Sequence, residues 1–250
     1  MIVIGAFGSG TIQHATGTAS GRQMTLTRLA ALLLLVAVLY PAAASAASDE
    51  QLWTSANATI KLTDRWRIQQ ELTARFSNSR NGLYEIESVT LVGYQPVKNV
   101  TVAAGYVHNP QYAHNDFTVM ERRAREQVTI DNVAKIGAGK LSARLRAEQR
   151  WRENVDGTAW RMRPYVKFSL PLAKGSKTSL TLSNETFVNL NSKPFQRQDG
   201  LDRMRNLIAI NTPIAKNLSA EVGYLNQYGF VRGGEDNVDH AASVSLSWTL

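Results

Sequence analysis

The chain has 250 residues, no cysteine and a formal net charge of +8, from 28 Lys+Arg against 20 Asp+Glu. The lack of cysteine excludes a disulfide framework and a thiolate metal site. A basic surplus can indicate nucleic-acid binding, but here the arginines alternate with glutamates within extended segments instead of forming runs, so we expect no nucleic-acid partner.

The N-terminal part has the features of a secretory signal peptide. Arg28 precedes the apolar run 29–40, and Pro41 and a small-residue stretch follow. Ala44 and Ala46 fit the small-x-small cleavage rule, which predicts cleavage after Ala46 and a leader over residues 1–46, with Met24 as the true start. The alternative is an uncleaved anchor, but Pro41 interrupts a run that is too short to span a bilayer.

The remainder, residues 47–250, reads as one all-β domain. No apolar run after the leader is long enough for a membrane helix, so any insertion into a membrane must use strands. Alternating segments recur along the whole domain, with turn residues between them. The predicted strands are 51–61, 65–77, 83–95, 100–109, 119–131, 141–153, 159–170, 178–190, 202–213, 218–229 and 239–250.

The connections between these segments alternate in length, as they do in outer-membrane barrels. The longer ones are predicted to face the cell exterior, and the C-terminus the periplasm. Termini on the same side of the membrane require an even number of strands. We therefore expect ten strands, if segment 51–61 does not span the membrane, or twelve, if residues near the mature N-terminus form an additional strand. The predicted short turns are 63–64, 96–99, 137–140, 173–177 and 215–217, and the long loops are 78–82, 110–118, 154–158, 191–201 and 230–238.

The C-terminal segment alternates strictly. One face carries Val244, Leu246, Trp248 and Leu250, and serines and Thr249 lie between them. Such alternation is typical of a transmembrane strand that faces lipid on one side and a polar lumen on the other.

Aromatic residues cluster at strand ends, which predicts two interfacial girdles. One comprises Trp66, Tyr94, Phe168 and Trp248, and the other Phe76, Tyr84, Trp151 and Trp160.

Charged residues occupy one face of each central segment. Charges facing lipid would cost about 2–4 kcal/mol each near the bilayer centre, so this face must line the lumen. The predicted lumen charge network is Arg67, Glu71, Arg75, Glu121, Arg123, Arg125, Arg144, Arg146, Glu148, Arg150, Arg161, Arg163, Glu185, Arg203, Arg205 and Glu221.

Two interpretations of this network remain open. The pairs could fill a narrow lumen structurally, or the surplus arginines could attract anionic solutes. In the second case a ring of fixed positive charge would set anion preference, and the candidates are Arg123, Arg144, Arg146, Arg163 and Arg205.

Two residues depart from the pattern: Glu126 falls on the predicted lipid face, and Pro164 lies within a strand. Proline removes a ladder donor. We expect a bulge or a register shift at these positions.

An outer-membrane hydrolase is the main alternative function. Its catalytic histidine would be His108, His114 or His240, beside the predicted outer loops and near Asp236 and Asp239. There is no nucleophile elbow, phosphate-binding glycine loop or metal-ligand spacing, so we expect no enzyme activity, cofactor or metal. A soluble ligand-binding barrel is a third possibility, but it would need an apolar interior.

Several motifs resemble domain-of-unknown-function family 2490 of Gram-negative bacteria, in order and over the whole mature chain. They are Leu52-Trp53, Trp66, Glu71 and Arg75, Ala104-Gly105-Tyr106, Glu121-x-Arg123-x-x-x-Gln127, Arg144-x-Arg146-x-Glu148-x-Arg150, Asp202 to Arg205, Glu221 to Tyr224, and His240. The C-terminal Leu250 departs from the Phe on which barrel proteins commonly end. The resemblance implies an outer-membrane β-barrel with no assigned activity.

Together these observations predict a transmembrane, antiparallel, up-and-down β-barrel. It would be a monomer in the outer membrane of a Gram-negative bacterium, with lipid and the barrel-insertion machinery as its partners. Its function would be structural or the slow passage of small anions.

Overall fold

The computed structural model describes residues 47–250, which form a closed barrel of eleven strands. The predicted leader, its cleavage site and the start at Met24 lie outside the described residues. The strands are β1 Ala47–Lys61, β2 Trp66–Ser77, β3 Gly82–Val97, β4 Val100–Ala113, β5 Asp116–Ile136, β6 Gly139–Arg152, β7 Ala159–Pro171, β8 Ser179–Asn189, β9 Gly200–Ala215, β10 Leu218–Gly229 and β11 Asn237–Thr249.

The barrel closes through a parallel seam. Each strand pairs antiparallel with the next, but β1 runs parallel to β11, from Ala47 opposite Asn237 to Thr59 opposite Thr249. The Lys61 N–H donates to the Leu250 carbonyl over 2.8 Å at the end of this seam. Every strand therefore has two neighbours and the sheet has no edge.

The expected even strand number is wrong. All eleven predicted segments are strands, and none has to be removed or added. Closure requires only that each edge strand finds backbone partners, and a parallel pair supplies them as well as an antiparallel one. The consequence is that Ala47 and Leu250 lie at opposite rims.

The connections define two rims. The upper rim carries loops 78–81, 114–115, 153–158, 190–199 and 230–236, and the lower rim carries 62–65, 98–99, 137–138, 172–178 and 216–217. The predicted long loop at 110–118 is wrong, because β4 and β5 continue to a two-residue turn at His114 and Asn115. Both residues have positive φ, 53° and 67°, as a type I′ hairpin turn requires.

The two faces of the wall differ as predicted. In β11, Val244, Trp248 and the following Leu250 are exposed on the outside, whereas Ser245 faces inward and accepts a hydrogen bond from the Asn57 side chain over 2.9 Å. The same alternation around the barrel gives an apolar outer face and a largely polar lumen, which also contains a small buried apolar cluster of Val89, Leu91, Ala103 and Val107.

Most aromatic residues of the predicted girdles lie on the outer face, but Phe168 is only 6% exposed. Trp66, Trp151, Trp160 and Trp248 are exposed on the outer face near the rims. Tyr84 instead turns inward, because the register between β2 and β3 shifts between Arg75 and Phe76. Its hydroxyl donates to the Gln51 side chain over 2.9 Å inside the upper rim.

The expected bulges at Glu126 and Pro164 are absent, and both strands keep their register at these positions. Glu126 is exposed on the outer face between Ala104 and Ala147, whose small side chains leave room for it. Pro164 pairs in register with Leu145 of β6, and the proline interrupts only the bonding to β8. Among residues 47–250 there is no helix that could span a membrane.

The parallel seam can be tested by cross-linking. Ser55 and Ser245 are direct partners across it, and the chain has no native cysteine. We expect the S55C/S245C double variant to form a disulfide on mild oxidation, because directly paired strand residues fall within disulfide distance. The measurement is the mobility shift on a non-reducing gel.

The matched control is S55C/S219C, in which β11 separates the two residues. It should stay reduced. A cross-link in the control, or none in S55C/S245C, would contradict the parallel register.

Candidate functional site in the barrel lumen

Glu148 of β6 is the centre of a buried ionic cluster in the lumen. It is fully buried, and its carboxylate accepts hydrogen bonds from Arg125 Nε at 3.0 Å, Arg161 Nε at 2.9 Å and Arg163 Nη1 at 2.8 Å. The strand register explains this convergence, because Glu148 lies opposite Arg125 on one side and Arg161 on the other. One carboxylate thus neutralises three arginines from the two neighbouring strands, β5 and β7.

A second carboxylate, Glu121 of β5, extends the cluster toward the upper rim. Arg150 donates to it bidentately, from Nε at 2.8 Å and Nη2 at 3.0 Å, and Arg123 Nε donates at 2.6 Å. Bidentate Arg–carboxylate pairs combine charge attraction with fixed geometry. Arg123 also donates from Nη1 to Glu87 of β3 at 2.6 Å.

A third carboxylate, Glu185 of β8, completes the cluster. It accepts from Arg163 Nη2 at 2.8 Å and Arg144 Nη2 at 2.5 Å, and the Arg205 guanidinium lies 4.0 Å away. We call the nine residues of these pairs that are at most 8% exposed the ionic layer: Glu87, Glu121, Arg123, Arg125, Glu148, Arg150, Arg161, Arg163 and Glu185.

The ionic layer is bridged across the lumen. Arg125 of β5 lies 3.6 Å from Glu71 of β2, and strands β3 and β4 lie between them. Arg205 of β9 lies between two rings, 4.6 Å from the centroids of Trp53 and Phe187. Side chains that lined an open water channel would be exposed to it, whereas these are buried. Charged side chains that contact one another therefore fill this level of the lumen.

Two arginines beside the ionic layer lack a short ion pair. Arg146 is buried, donates only to the Gln127 side chain at 3.0 Å, and has no partner for Nη2 among the described residues. Arg205 donates to the Gln227 side chain at 2.7 Å and has only the distant Glu185. Of the five arginines predicted to form a ring of fixed charge, Arg123, Arg144 and Arg163 are instead neutralised by carboxylates.

The other predicted network residues are also found on the lumen face. Arg75 pairs with Glu85, Arg203 pairs with Asp202 over 2.9 Å, and Arg67 donates to the Gln95 side chain. Glu221 lies opposite Ser245 and Asn211 on the same face, below the ionic layer.

Several residues of the network did not emerge from the sequence reasoning. Glu85 and Glu87 alternate along β3, and this alternation was a usable signal. Trp53 and Phe187 were not predicted to belong to the network. They face the lumen, where they stack against arginines. Phe187 lies two residues after Glu185, so strand alternation places both on the same face.

Above the ionic layer the lumen widens into a cavity of about 380 Å³, which we call the vestibule. Ten arginines and six carboxylates line it, together with amide side chains. Loop 190–199 contributes Phe195, Gln196 and Arg197 to its wall. The Phe195 ring lies 5.0 Å from the Arg150 guanidinium and 5.6 Å from that of Arg152, so this loop packs onto the vestibule.

The three candidate histidines do not come together. His108 is exposed on the outer face of β4, His114 is in the β4–β5 turn near Asn81, and the Nδ1 of His240 lies 2.6 Å from the Tyr224 hydroxyl on the outer face. Asp239 points into the lumen and donors from Gln227 and Asn237 contact it. No histidine of residues 47–250 has a carboxylate within 4.0 Å, so the proposed catalytic pairing gains no support.

Asp236, the other carboxylate near His240, has a local structural role. Its carboxylate accepts from the Tyr228 hydroxyl at 2.6 Å and from the Val231 N–H at 2.8 Å, and these hydrogen bonds lower its pKa below the usual value. It therefore holds loop 230–236 against β10. The described part of the chain also contains no group of three or more His, Asp or Glu that could hold a metal.

Comparison with known proteins identifies the family. Residues 50–238 match the family described as "Protein of unknown function (DUF2490)". The chain belongs to this family. An uncharacterised protein of Methylorubrum extorquens is 28% identical over 219 residues, which cover 87% of this chain and 95% of that protein. No solved structure matches the chain significantly. For this DUF2490 member the site must therefore be understood from its own geometry.

The ionic layer predicts a specific stability difference between two glutamates of the wall. We expect E148Q to lower the free energy of unfolding by about 3–5 kcal/mol, because it leaves buried arginines without their shared counter-charge. The measurement is denaturant unfolding in detergent micelles.

The control is E126Q, which removes the same charge from the outer face of the neighbouring strand. Its effect should be within about 0.5 kcal/mol, as for other surface substitutions, or slightly stabilising in a lipid bilayer. Equal losses in the two variants would show that the ionic layer does not stabilise the barrel.

Proposed function

We propose that this protein is an outer-membrane β-barrel whose lumen is closed at rest by the ionic layer. The observation that carries the proposal is the burial of nine charged side chains in one cluster across the lumen, with three carboxylates each shared by several arginines. In this arrangement the charges act first as a structural plug. The plug separates the vestibule from the lower half of the lumen.

The outer face of the wall supports placement in a membrane. Val222 is 57% exposed, Ile208 and Leu145 are 50% exposed, and similar apolar residues continue around the barrel. Soluble monomers rarely expose a continuous apolar surface of this size. The tryptophans near both rims and the closed backbone ladder fit the same environment.

The compartment and orientation complete the proposal. A signal peptide at residues 1–46 and a strand-spanning wall are together typical of Gram-negative outer-membrane proteins. In this orientation the upper rim faces the cell exterior and the lower rim the periplasm. Lipid and the insertion machinery would be the partners of a barrel that satisfies its own edges and so acts as a monomer, and nothing in the proposal requires an enzyme activity or a cofactor.

Slow passage of small anions is a second candidate function, and the two incompletely neutralised arginines favour it. Arg146 and Arg205 lie on the lumen wall beside the ionic layer and leave positive charge uncompensated there. Fixed positive charge in a narrow lumen favours anions over cations. Any current through a transient opening of the layer should therefore be carried by anions.

Single-channel recording in planar bilayers tests the closed lumen. We expect the unmodified protein to be silent or nearly so, and E121A/R150A to conduct steadily, because this double variant removes one complete bidentate pair and opens space. The control D199A/R232A removes a pair of the same charges that is exposed on the upper rim, with a 2.9 Å contact. It should remain silent.

Reversal potentials of the opened E121A/R150A variant under a salt gradient then test the anion preference. They should indicate anion selectivity, and adding R146A should shift them toward cations. A large steady current through the unmodified protein would refute the plug. An R146A addition without effect would refute the role of this arginine in selectivity.

The orientation is tested by labelling single cysteines in intact cells, since the chain has none of its own. Both positions chosen, Glu235 and Lys216, are exposed, one at each rim. A membrane-impermeant maleimide should label E235C directly and K216C only after the outer membrane is permeabilised. The opposite pattern would reverse the orientation, and labelling of both in intact cells would contradict an outer-membrane location.

A further inference from the structure

The vestibule contains polar atoms that the protein itself does not satisfy. Arg75 Nε, Asn189 Oδ1, Asn237 Oδ1 and both amide atoms of Gln196 are buried without a hydrogen-bond partner among residues 47–250, and all four residues line this cavity. Asn189 is 97% buried, since only 3% of its surface is exposed. Buried polar groups are normally paired, so four such residues around one cavity indicate a missing partner.

The vestibule also contains arginines that have no ion-pair partner. Arg80, Arg152 and Arg197 line it, and none has a carboxylate within 4.0 Å among the described residues. Arg152 donates to the Gln111 side chain at 2.8 Å, and Arg80 lies over the Tyr84 ring with its guanidinium 5.3 Å from the centroid. Guanidinium groups held by neutral neighbours retain donors for a phosphate or a carboxylate.

Two carboxylates that line the vestibule are held by uncharged donors. Asp49 accepts from the Ser77 hydroxyl at 2.6 Å and the Ser79 N–H at 3.0 Å, and Asp239 accepts from the Gln227 amide. Such carboxylates bind hydroxyl groups well. The cavity therefore offers cations for an anionic group beside acceptors for hydroxyls.

We propose that the vestibule binds a small hydroxylated organic anion, a sugar phosphate or a sugar acid. The proposal deepens the proposed function and rests on its closed lumen, because the ionic layer is the floor of the cavity. The volume of about 380 Å³ lies in the usual range for small-molecule sites. Because the site lies inside the barrel wall, its ligand comes from the aqueous phase and not from the surrounding lipid.

In the bound state, the acidic group of the sugar contacts Arg152 and Arg197 at the upper rim. Its hydroxyls donate to the unpaired amide oxygens of Asn189 and Asn237. Loop 190–199 carries Arg197 and Gln196 and so closes over the ligand from one side. Neither an inorganic anion nor an uncharged sugar can satisfy both sets of groups.

Calorimetric titration of the full-length protein in detergent micelles tests the site, with glucose 6-phosphate, glucose and inorganic phosphate as probes. We expect glucose 6-phosphate to bind at least about tenfold more tightly than either of the other two. R152A should weaken its binding at least about tenfold, as expected for the loss of a charge-assisted hydrogen bond. N189A should weaken the binding of glucose 6-phosphate but not that of inorganic phosphate.

The matched control is R65A, which removes an exposed arginine at the lower rim. It should bind glucose 6-phosphate as the unmodified protein does. Equal affinity for phosphate and glucose 6-phosphate, no binding of any probe, or an equal loss in R65A would overturn the proposal.

Each variant is first checked for the closed barrel by its heat-dependent mobility on gels, and its conductance is recorded in parallel. A folded, silent barrel that binds no probe would refute the sugar-anion site and leave the closed lumen intact. A conducting barrel that still binds the probe would refute the plug but not the vestibule site.

Discussion

Closure of the sheet is the constraint on which the rest of this structure depends. Eleven strands, joined at a parallel seam, enclose an interior between that of an eight-stranded barrel, which its own side chains fill, and that of a sixteen-stranded porin, which leaves a channel. At this width arginine side chains from one wall reach carboxylates several strands away, as Arg125 reaches Glu71. A wider ring would leave such pairs separated by water.

The ionic layer follows from this width and from the polarity of the two faces. The outer face is apolar, so the chain places its charges inside, where burial is costly unless every charge has partners. Carboxylates that are each shared by several arginines provide these partners: Glu148 contacts three arginines, and Glu185 contacts two closely. Removing one partner from such a layer is strongly destabilising, whereas forming the layer contributes little net stability. The layer is therefore better suited to fixing one arrangement of the lumen than to adding stability.

Much of this fold follows from the sequence because strand periodicity is local. Alternation in each segment gave the eleven strands and the inward face, including Arg146 and Glu148. The closing seam did not follow, because a parallel pair between the two ends of the chain leaves no local signal. The β4–β5 turn was missed because His114 and Asn115 replace the glycine that marks most type I′ turns. The partners of each charge depend on register across several strands, and so required the structure.

The two levels of the lumen differ in how many of their arginines are paired with carboxylates. In the ionic layer most guanidinium groups are neutralised and buried, as the proposed plug requires. In the vestibule Arg80, Arg152 and Arg197 have neutral neighbours, and amide atoms of Asn189 and Gln196 stay unpaired. The proposed binding site rests on these unpaired groups, which lie at the level where loop 190–199 packs inward, and the proposed plug lies beneath them.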